Sequence, residues 1–597
     1  MTCSNASPLH HVIYQFFFAT YSLFQILCDL GAPRINFFKL KKNKTINPGF
    51  FKKRIVESYT VGDYLINQLY KLGVRHVFGI PGDYVLGLYS QLTKSKIRIV
   101  NTCDEQGAGF AADAYARVRG IGAVCITYCV GGLKVLNTTA EAYAEKSPVI
   151  VISGAPGISE RKKSPLLHHK VRDYSTQLDL FNHVTVATTV LDDETTASSE
   201  IDRVLSAALR YKMPVYIEVP RDMIYKTLAS KSVRQSSTTD SDLSAKKEAV
   251  QEASTMINSS KKPVVVAGVE IQRFGLQNLL LEFLEKTNIP VVSTPLSKSV
   301  LDENHPSYLG VYEGSMGFPE VKKYVESNDC AILLGTFMTD IDFGNSLTPI
   351  DEGTTINATS LKLTIKHHIY EGVTLQDFLT ALNDTKLKQF QSISVKRKTF
   401  QKFQTSELSK ITVDRLFQRL NNFITSKNIV IADVGDALFG GLDLFIHKGS
   451  EFLSPAFYLS MGFAIPACIG AQLADSDLRP IVIVGDGAFQ MTGMELATVV
   501  KENLNPIVIL LNNDGYRTER SLLDGSFNDI FKWKYSKVTE LLGRGKSYVV
   551  ETEGQFETAL KEAEKISKDF VLIEVLLDKF DGSAALKRLT ASLSKKI

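Results

Sequence analysis

The chain has 597 residues, 44% of them hydrophobic and 22% charged, and its net charge is only +4. That length suits about three or four globular domains, and no basic stripe interleaved with aromatics points to nucleic acid. The seven cysteines are scattered, with no Cys-x-x-Cys pair, which excludes a metal finger or a disulfide framework and fits a reducing cytosol.

The first stretch, "VIYQFFFATYSLFQILCDL" (12–30), is apolar and aromatic, and a basic run, "FKLKKNKTINPGFFKKR" (38–54), follows it. A secretory signal carries its charge before the apolar run. A membrane span needs about 20 apolar residues, and Gln15, Thr20, Ser22 and Gln25 interrupt this one. Residues 1–54 therefore read as a non-functional extension, without membrane contact. No methionine occurs between Met1 and Met213, so a shorter product would need another start codon.

Regular patterning begins at residue 55. Thr60 and Asp63 form a helix start and Gly73 a stop. Short β-branched runs follow, "VRHVFGI", "IRIVNT", "AVCITYCV" and "PVIVISGAP", separated by Ala-rich helical stretches. Continuously apolar strands alternating with helices predict a parallel sheet covered on both faces. This first domain spans 55–229. A polar linker (230–248) leads to a second α/β domain, 249–384, with "KPVVVAGVEI", "IPVVSTP" and "CAILLGT". After another polar stretch, a third α/β domain, 411–592, carries "NIVIADVG", "RPIVIVGDG", "PIVILLNNDG" and "FVLIEVLL". The fold class is thus α/β, with three doubly wound parallel-sheet domains.

The most specific motif is "GDGAFQMTGMELATVVKENLNPIVILLNNDG" (485–515). Asp486 ends one strand and Asn513 ends the next, one strand–helix–strand unit later, so both meet at the sheet edge where α/β folds bind ligands. A carboxylate and an amide carbonyl are hard oxygen donors suited to Mg²⁺, with phosphate and water completing the shell. The glycines admit close backbone approach to a phosphate. A second feature is the doublet His168–His169 in "SPLLHHKVRD". Two other pairs, His10–His11 and His367–His368, show that a doublet alone means little.

The 485–515 segment resembles the diphosphate- and metal-binding motif of thiamine-diphosphate enzymes, whose pyrimidine-binding, central and diphosphate-binding domains match the three regions above. Within that family, "FGIPGDY" (78–84), "DEQGAGFAADAYARVRG" (104–120), "PLLHHK" (165–170) and "NNDGYRTE" (512–519) resemble the 2-oxo acid decarboxylases acting on pyruvate, indolepyruvate or phenylpyruvate. The run "AEAYAEKSPVIVISGAPG" is most similar to bacterial members of the phenylpyruvate and indolepyruvate type.

The resemblance implies a role for each matching residue. Glu105 would bond N1′ of the aminopyrimidine and favour the imino tautomer. Met461 would wedge the two cofactor rings into a bent form. Asp436, Gly487 and Ala488 would contact the cofactor, and Asp486, Asn513 and Gly515 would hold the Mg²⁺. Asp83, His168, His169 and Glu519 would surround the reactive carbon as proton relays, work that suits imidazoles and crowded carboxyls. Gly132 stands where yeast-type pyruvate decarboxylases have Glu, against substrate activation of that type. Thr518 and Leu438 would line the pocket.

The resemblance therefore implies a cytoplasmic carboxy-lyase, a homodimer or homotetramer. It would convert a 2-oxo acid to an aldehyde and CO₂ with thiamine diphosphate and Mg²⁺, in a site shared between subunits. Two alternatives stand beside it. An acetolactate-synthase-type carboligase would lack the His–His doublet. A silent thiamine-diphosphate-sensing regulator would have lost an acid–base residue, and none is missing.

Overall fold

Thr60 opens helix α1 (Val61–Lys71) by accepting the Asp63 amide at 3.1 Å, and Gly73 takes φ +100° just past its end, as the start and stop signals predict. The computed structural model describes residues 59–229, 241–343, 351–392 and 402–593. The expected extension, 1–54, and the pair His10–His11 lie outside them.

Six strands, β1 (His76–Gly79), β2 (Arg98–Asn101), β3 (Gly122–Ile126), β4 (Val149–Ala155), β5 (Ala187–Val190) and β6 (Val215–Pro220), form a parallel sheet in the order β2-β1-β3-β4-β6-β5. The second sheet holds β7 (Pro263–Ala267), β8 (Val291–Ser293), β9 (Tyr308–Val311), β10 (Cys330–Leu334), β11 (Thr355–Ala358), β12 (Leu363–Ile365) and β13 (His368–Tyr370). Its order is β13-β12-β11-β10-β7-β8-β9, parallel except for the β12 and β13 edge, which runs antiparallel. The third sheet, β14 (Asn428–Ala432), β15 (Glu451–Leu453), β16 (Arg479–Gly485), β17 (Ile507–Asn512), β18 (Lys546–Val550) and β19 (Val571–Leu576), is wholly parallel in the order β15-β14-β16-β17-β19-β18. Counted from its own first strand, that is the order of the first sheet. The first and third sheets are two copies of one topology.

Helices α2 (Glu105–Arg119) and α3 (Gly132–Ala144) flank the first sheet; α4 (Asp436–Leu442), α5 (Ala464–Ala474), α6 (Asp486–Thr492), α7 (Arg517–Leu522) and α8 (Ala584–Leu593) belong with the third. Helices α2 and α5 join the two units through one shared core, in which Phe110 meets Phe463 edge-on at 5.7 Å. The helices approach so closely that a Cβ on Gly470 would fall 1.8 Å from the Ala111 carbonyl oxygen, so only glycine fits there. Beside this seam Arg117 is fully enclosed and pairs with Asp113 at 2.6 Å and Glu145 at 2.8 Å, while donating to the Ser454 carbonyl at 3.0 Å. A buried cation is tolerated only with such partners, and it fixes the register of the two units.

Candidate active site

Three adjacent strands of the third sheet, β14, β16 and β17, each release a polar residue at the carboxyl end: Asp433, Asp486 and Asn513. The Asp486 carboxylate is almost wholly buried. It accepts the Gly487 amide at 2.8 Å through Oδ1 and the amides of Asn513 and Gly515 at 3.1 and 3.0 Å through Oδ2. Burial still pushes its pKa up to about 6, against those hydrogen bonds. The Asn513 side-chain oxygen is buried and has no hydrogen-bond partner. Gly515 sits at φ +137° with the Asn528 carbonyl 2.0 Å from where a Cβ would lie, and a Cβ on Gly487 would meet the Tyr516 ring at 2.6 Å. A hard cation fits these residues. It would satisfy the orphaned Asn513 oxygen and favour the ionised Asp486.

Met461 lies on the loop before α5, half-buried against the core shared by the two units. Two buried acids hold that loop. Asp433 accepts the amides of Gly462 at 3.0 Å and Ala464 at 2.8 Å, and Glu145 accepts those of Phe457 and Tyr458, each at 2.8 Å. Asp433 is fully buried, and burial pushes its pKa to about 6. Asp436 starts α4 and turns both oxygens to Ser583, just before α8, accepting its amide at 2.9 Å. Ala488 is buried on α6, and Glu519 is exposed on α7. Leu438 is fully buried. It sits in the first turn of α4, among the core residues of the third unit. Thr518 is half-exposed, its hydroxyl 3.1 Å from where a Cβ on Gly435 would lie.

The first sheet presents its polar residues at the same kind of edge: Asp83 after β1, Glu105 after β2, His168 and His169 after β4, and Arg221 after β6. His168 Nε2 lies 2.9 Å from Asp83 Oδ2, and its ring stacks on Tyr84 with centroids 4.6 Å apart. The His169 ring packs edge-on to His168 at 4.8 Å. His169 takes φ +67°, a strained conformation for a residue with a Cβ, and its Nδ1 is buried without a partner. Arg221 reaches Asp83 at 3.5 Å, lies over the Tyr84 ring at 5.0 Å and is held by Glu160 at 2.8 Å. Glu105 is buried at the first turn of α2, where Lys134 of α3 pairs with it at 2.8 Å.

Two groups therefore exist. Asp83, His168 and His169 form a cluster on the first unit; Asp486, Asn513 and Gly515 form an oxygen and amide cradle on the third. Among the described residues, no hydrogen bond or ion pair joins them within one chain. The pair His367–His368 is elsewhere, at the antiparallel edge of the second sheet, where His368 meets Glu252 at 3.0 Å.

Sequence reasoning missed Tyr84, Lys134, Glu145, Asp433 and Arg221. Asp433 had a signal, an acid directly after the apolar strand "NIVIA". Glu145 had none, since the loop amides it accepts lie more than 300 positions away.

Comparison with known proteins follows these three units. Residues 59–180 match the N-terminal TPP binding domain of thiamine pyrophosphate enzymes, 250–380 the central domain, and 433–575 the C-terminal TPP binding domain. An indole-3-pyruvate decarboxylase from Azospirillum brasilense is 33% identical over 535 residues, covering 88% of this chain and 97% of its own. Pyruvate decarboxylase 1 of Pisum sativum is 31% identical, covering 88% of this chain and 92% of its own. An alpha-keto-acid decarboxylase from Mycobacterium leprae is 30% identical, covering 90% and 96%.

Proposed function

Since the chain belongs to the thiamine pyrophosphate enzymes, we propose that it removes CO₂ from a 2-oxo acid such as pyruvate, indolepyruvate or phenylpyruvate and releases an aldehyde. Thiamine diphosphate, when bound with Mg²⁺, supplies the carbon that adds to the 2-oxo group and holds the electron pair left by departing CO₂. Asp486, Asn513 and the Gly515 backbone would hold the metal, and Gly487 and Ala488 would offer their amides to the diphosphate. Met461 would pack against the cofactor rings, and Asp436 would lie near them at the start of α4. Glu105 keeps a proton at the pyrimidine ring.

The observation that carries the reading is the convergence of Asp83, His168 and His169 on one sheet edge, with His168 bonded to Asp83 at 2.9 Å. A carboxylate–imidazole pair moves a proton near neutral pH. The substrate oxygen gains one, the carbon left by CO₂ gains one, and the product gives one up. His168, His169, Asp83 and Glu519 are the groups for these transfers. Two copies of the chain complete the site, the first unit of one facing the third unit of the other, as in the family this chain resembles. Its described cysteines are all free, in keeping with a cytoplasmic enzyme. No helix among the described residues is long and apolar enough to cross a membrane.

The test is CO₂ release from pyruvate, 2-oxoisovalerate, phenylpyruvate and indolepyruvate by the purified full chain, with and without thiamine diphosphate and Mg²⁺. Release from at least one acid that requires the cofactor is the expected result. No release from any of them, with the cofactor shown to be bound, would overturn the reading.

A further inference from the structure

The topology carries a lysine to the one carboxyl that the proposed cofactor activation needs. Glu105 opens α2 after β2, and Lys134 sits in the first turn of α3 after β3, with β1 between those strands. The Lys134 ammonium lies 2.8 Å from Glu105 Oε2 and also pairs with Asp104, whose carboxylate caps α2 through the Gln106 amide at 2.8 Å. The Lys134 side chain is 46% exposed and that of Glu105 11%, so the lysine enters from the solvent side onto a covered carboxyl.

The other groups facing Glu105 do not take its place. Tyr89 donates to the Cys125 carbonyl at 2.9 Å, and burial keeps its hydroxyl neutral. Glu495 accepts the Cys103 and Asp104 amides at 3.1 Å, and burial raises its pKa. The Cys103 thiol is likewise raised. Lys134 is the cation of this set, and its two carboxylate partners, Asp104 first, keep it charged.

Glu105 and the pyrimidine N1′ must share one proton for the imino form to arise. A fixed positive charge against Glu105 opposes that proton. Asp104 offers the same ammonium a second seat at no further reach. We infer that Lys134 is a positioning residue: it pairs with the Glu105 carboxylate before the cofactor arrives and keeps only Asp104 when the pyrimidine takes its place. Thiamine diphosphate binding is then coupled to uptake of a proton from solvent and weakens as pH rises. This inference rests on the role given to Glu105 above.

Calorimetric titration of thiamine diphosphate with saturating Mg²⁺ tests it, on the full chain and on Lys134→Met, Lys134→Arg and Glu105→Gln, between about pH 6 and about pH 9. Repeating each titration in buffers of different ionisation heat counts the protons taken up. Native protein and Lys134→Arg should bind more weakly as pH rises, with the same profile. Lys134→Met should shift that weakening to higher pH and bind roughly 3- to 10-fold tighter at about pH 8. Glu105→Gln should bind without the pH-dependent limb. If Lys134→Met keeps the native profile while Glu105→Gln loses it, the lysine has no such role and the Glu105 assignment stands. A native profile in Glu105→Gln would remove the assignment on which both rest.

Discussion

His168 Nε2 lies 2.9 Å from Asp83 Oδ2, although 85 positions separate them in the chain. The contact exists because β1 and β4 are two strands apart in one parallel sheet and both release their loops at the same edge. Tyr84 closes the arrangement by stacking on the imidazole and placing its hydroxyl 3.3 Å from Nδ1. An imidazole held on three sides is oriented for proton transfer rather than free to rotate.

If the doublet relays protons, its replacement falls on turnover. His168→Ala and His169→Ala should each lower kcat by roughly 10²-fold or more, with thiamine diphosphate affinity within a few-fold of native. His367→Ala and His368→Ala should change neither, because that pair sits on the second sheet. Steady-state kinetics beside cofactor titration checks all four. Equal and small effects at both pairs would make the doublet structural.

The metal cradle predicts a pH dependence with a definite sign. The folded pKa of Asp486 is raised to about 6 by burial, from an ordinary 3.8. Without a cation, its contribution to stability is fully present below the ordinary value and is lost as pH rises through about 6. A bound cation reverses this, because it needs the ionised form. Mg²⁺ affinity, measured with thiamine diphosphate present, should weaken by up to about tenfold per pH unit below about 6. Asp486→Ala should lower cofactor affinity steeply and lose this dependence. Unchanged cofactor affinity in that variant would refute the assignment.

Asp433 joins β14 to the Met461 loop through buried amides. Asp433→Ala leaves the amides of Val434, Gly462 and Ala464 without their acceptor. A buried unsatisfied amide costs about 1–3 kcal/mol, so a loss of about 3 kcal/mol in unfolding free energy is expected once partial relaxation is allowed for. Asp433→Asn keeps one acceptor oxygen and should lose less. Chemical denaturation of both variants measures it, and a native midpoint in Asp433→Ala would show that the acid does not hold the loop.

A site shared between subunits predicts complementation. Glu105→Gln disables the first unit's contribution and Asp486→Ala the third's. In a mixed dimer of the two variants, one site carries both lesions and the other neither. Randomly paired subunits should therefore recover about a quarter of native activity. Mixing inactive parents and assaying the refolded or co-expressed pairs measures this. No recovery would place each site within a single chain.

The alternation of short apolar runs with Ala-rich helices was enough to place strands β1, β2, β3, β4, β7, β8, β10, β14, β16, β17 and β19, because most of them are buried on both faces and have no polar positions to blur the pattern. The edge strands β13 and β18 were not legible; their exposed residues break the apolar run. Asp486 and Asn513 could be paired from spacing alone, since one strand–helix–strand unit lies between them. The contacts of Arg117 and Glu145 could not, because they reach across the seam between two units and depend on backbone partners that no pattern of side chains records.

Cofactor activation depends most directly on Glu105. The deciding measurement is CO₂ release by purified Glu105→Gln from whichever 2-oxo acid the native protein uses best, with calorimetry on the same sample to show that thiamine diphosphate is bound. An amide cannot supply the proton that the pyrimidine needs. Cofactor affinity within a few-fold of native and CO₂ release lowered by roughly 10²-fold or more is the predicted result. Near-native release with the cofactor saturating would contradict it.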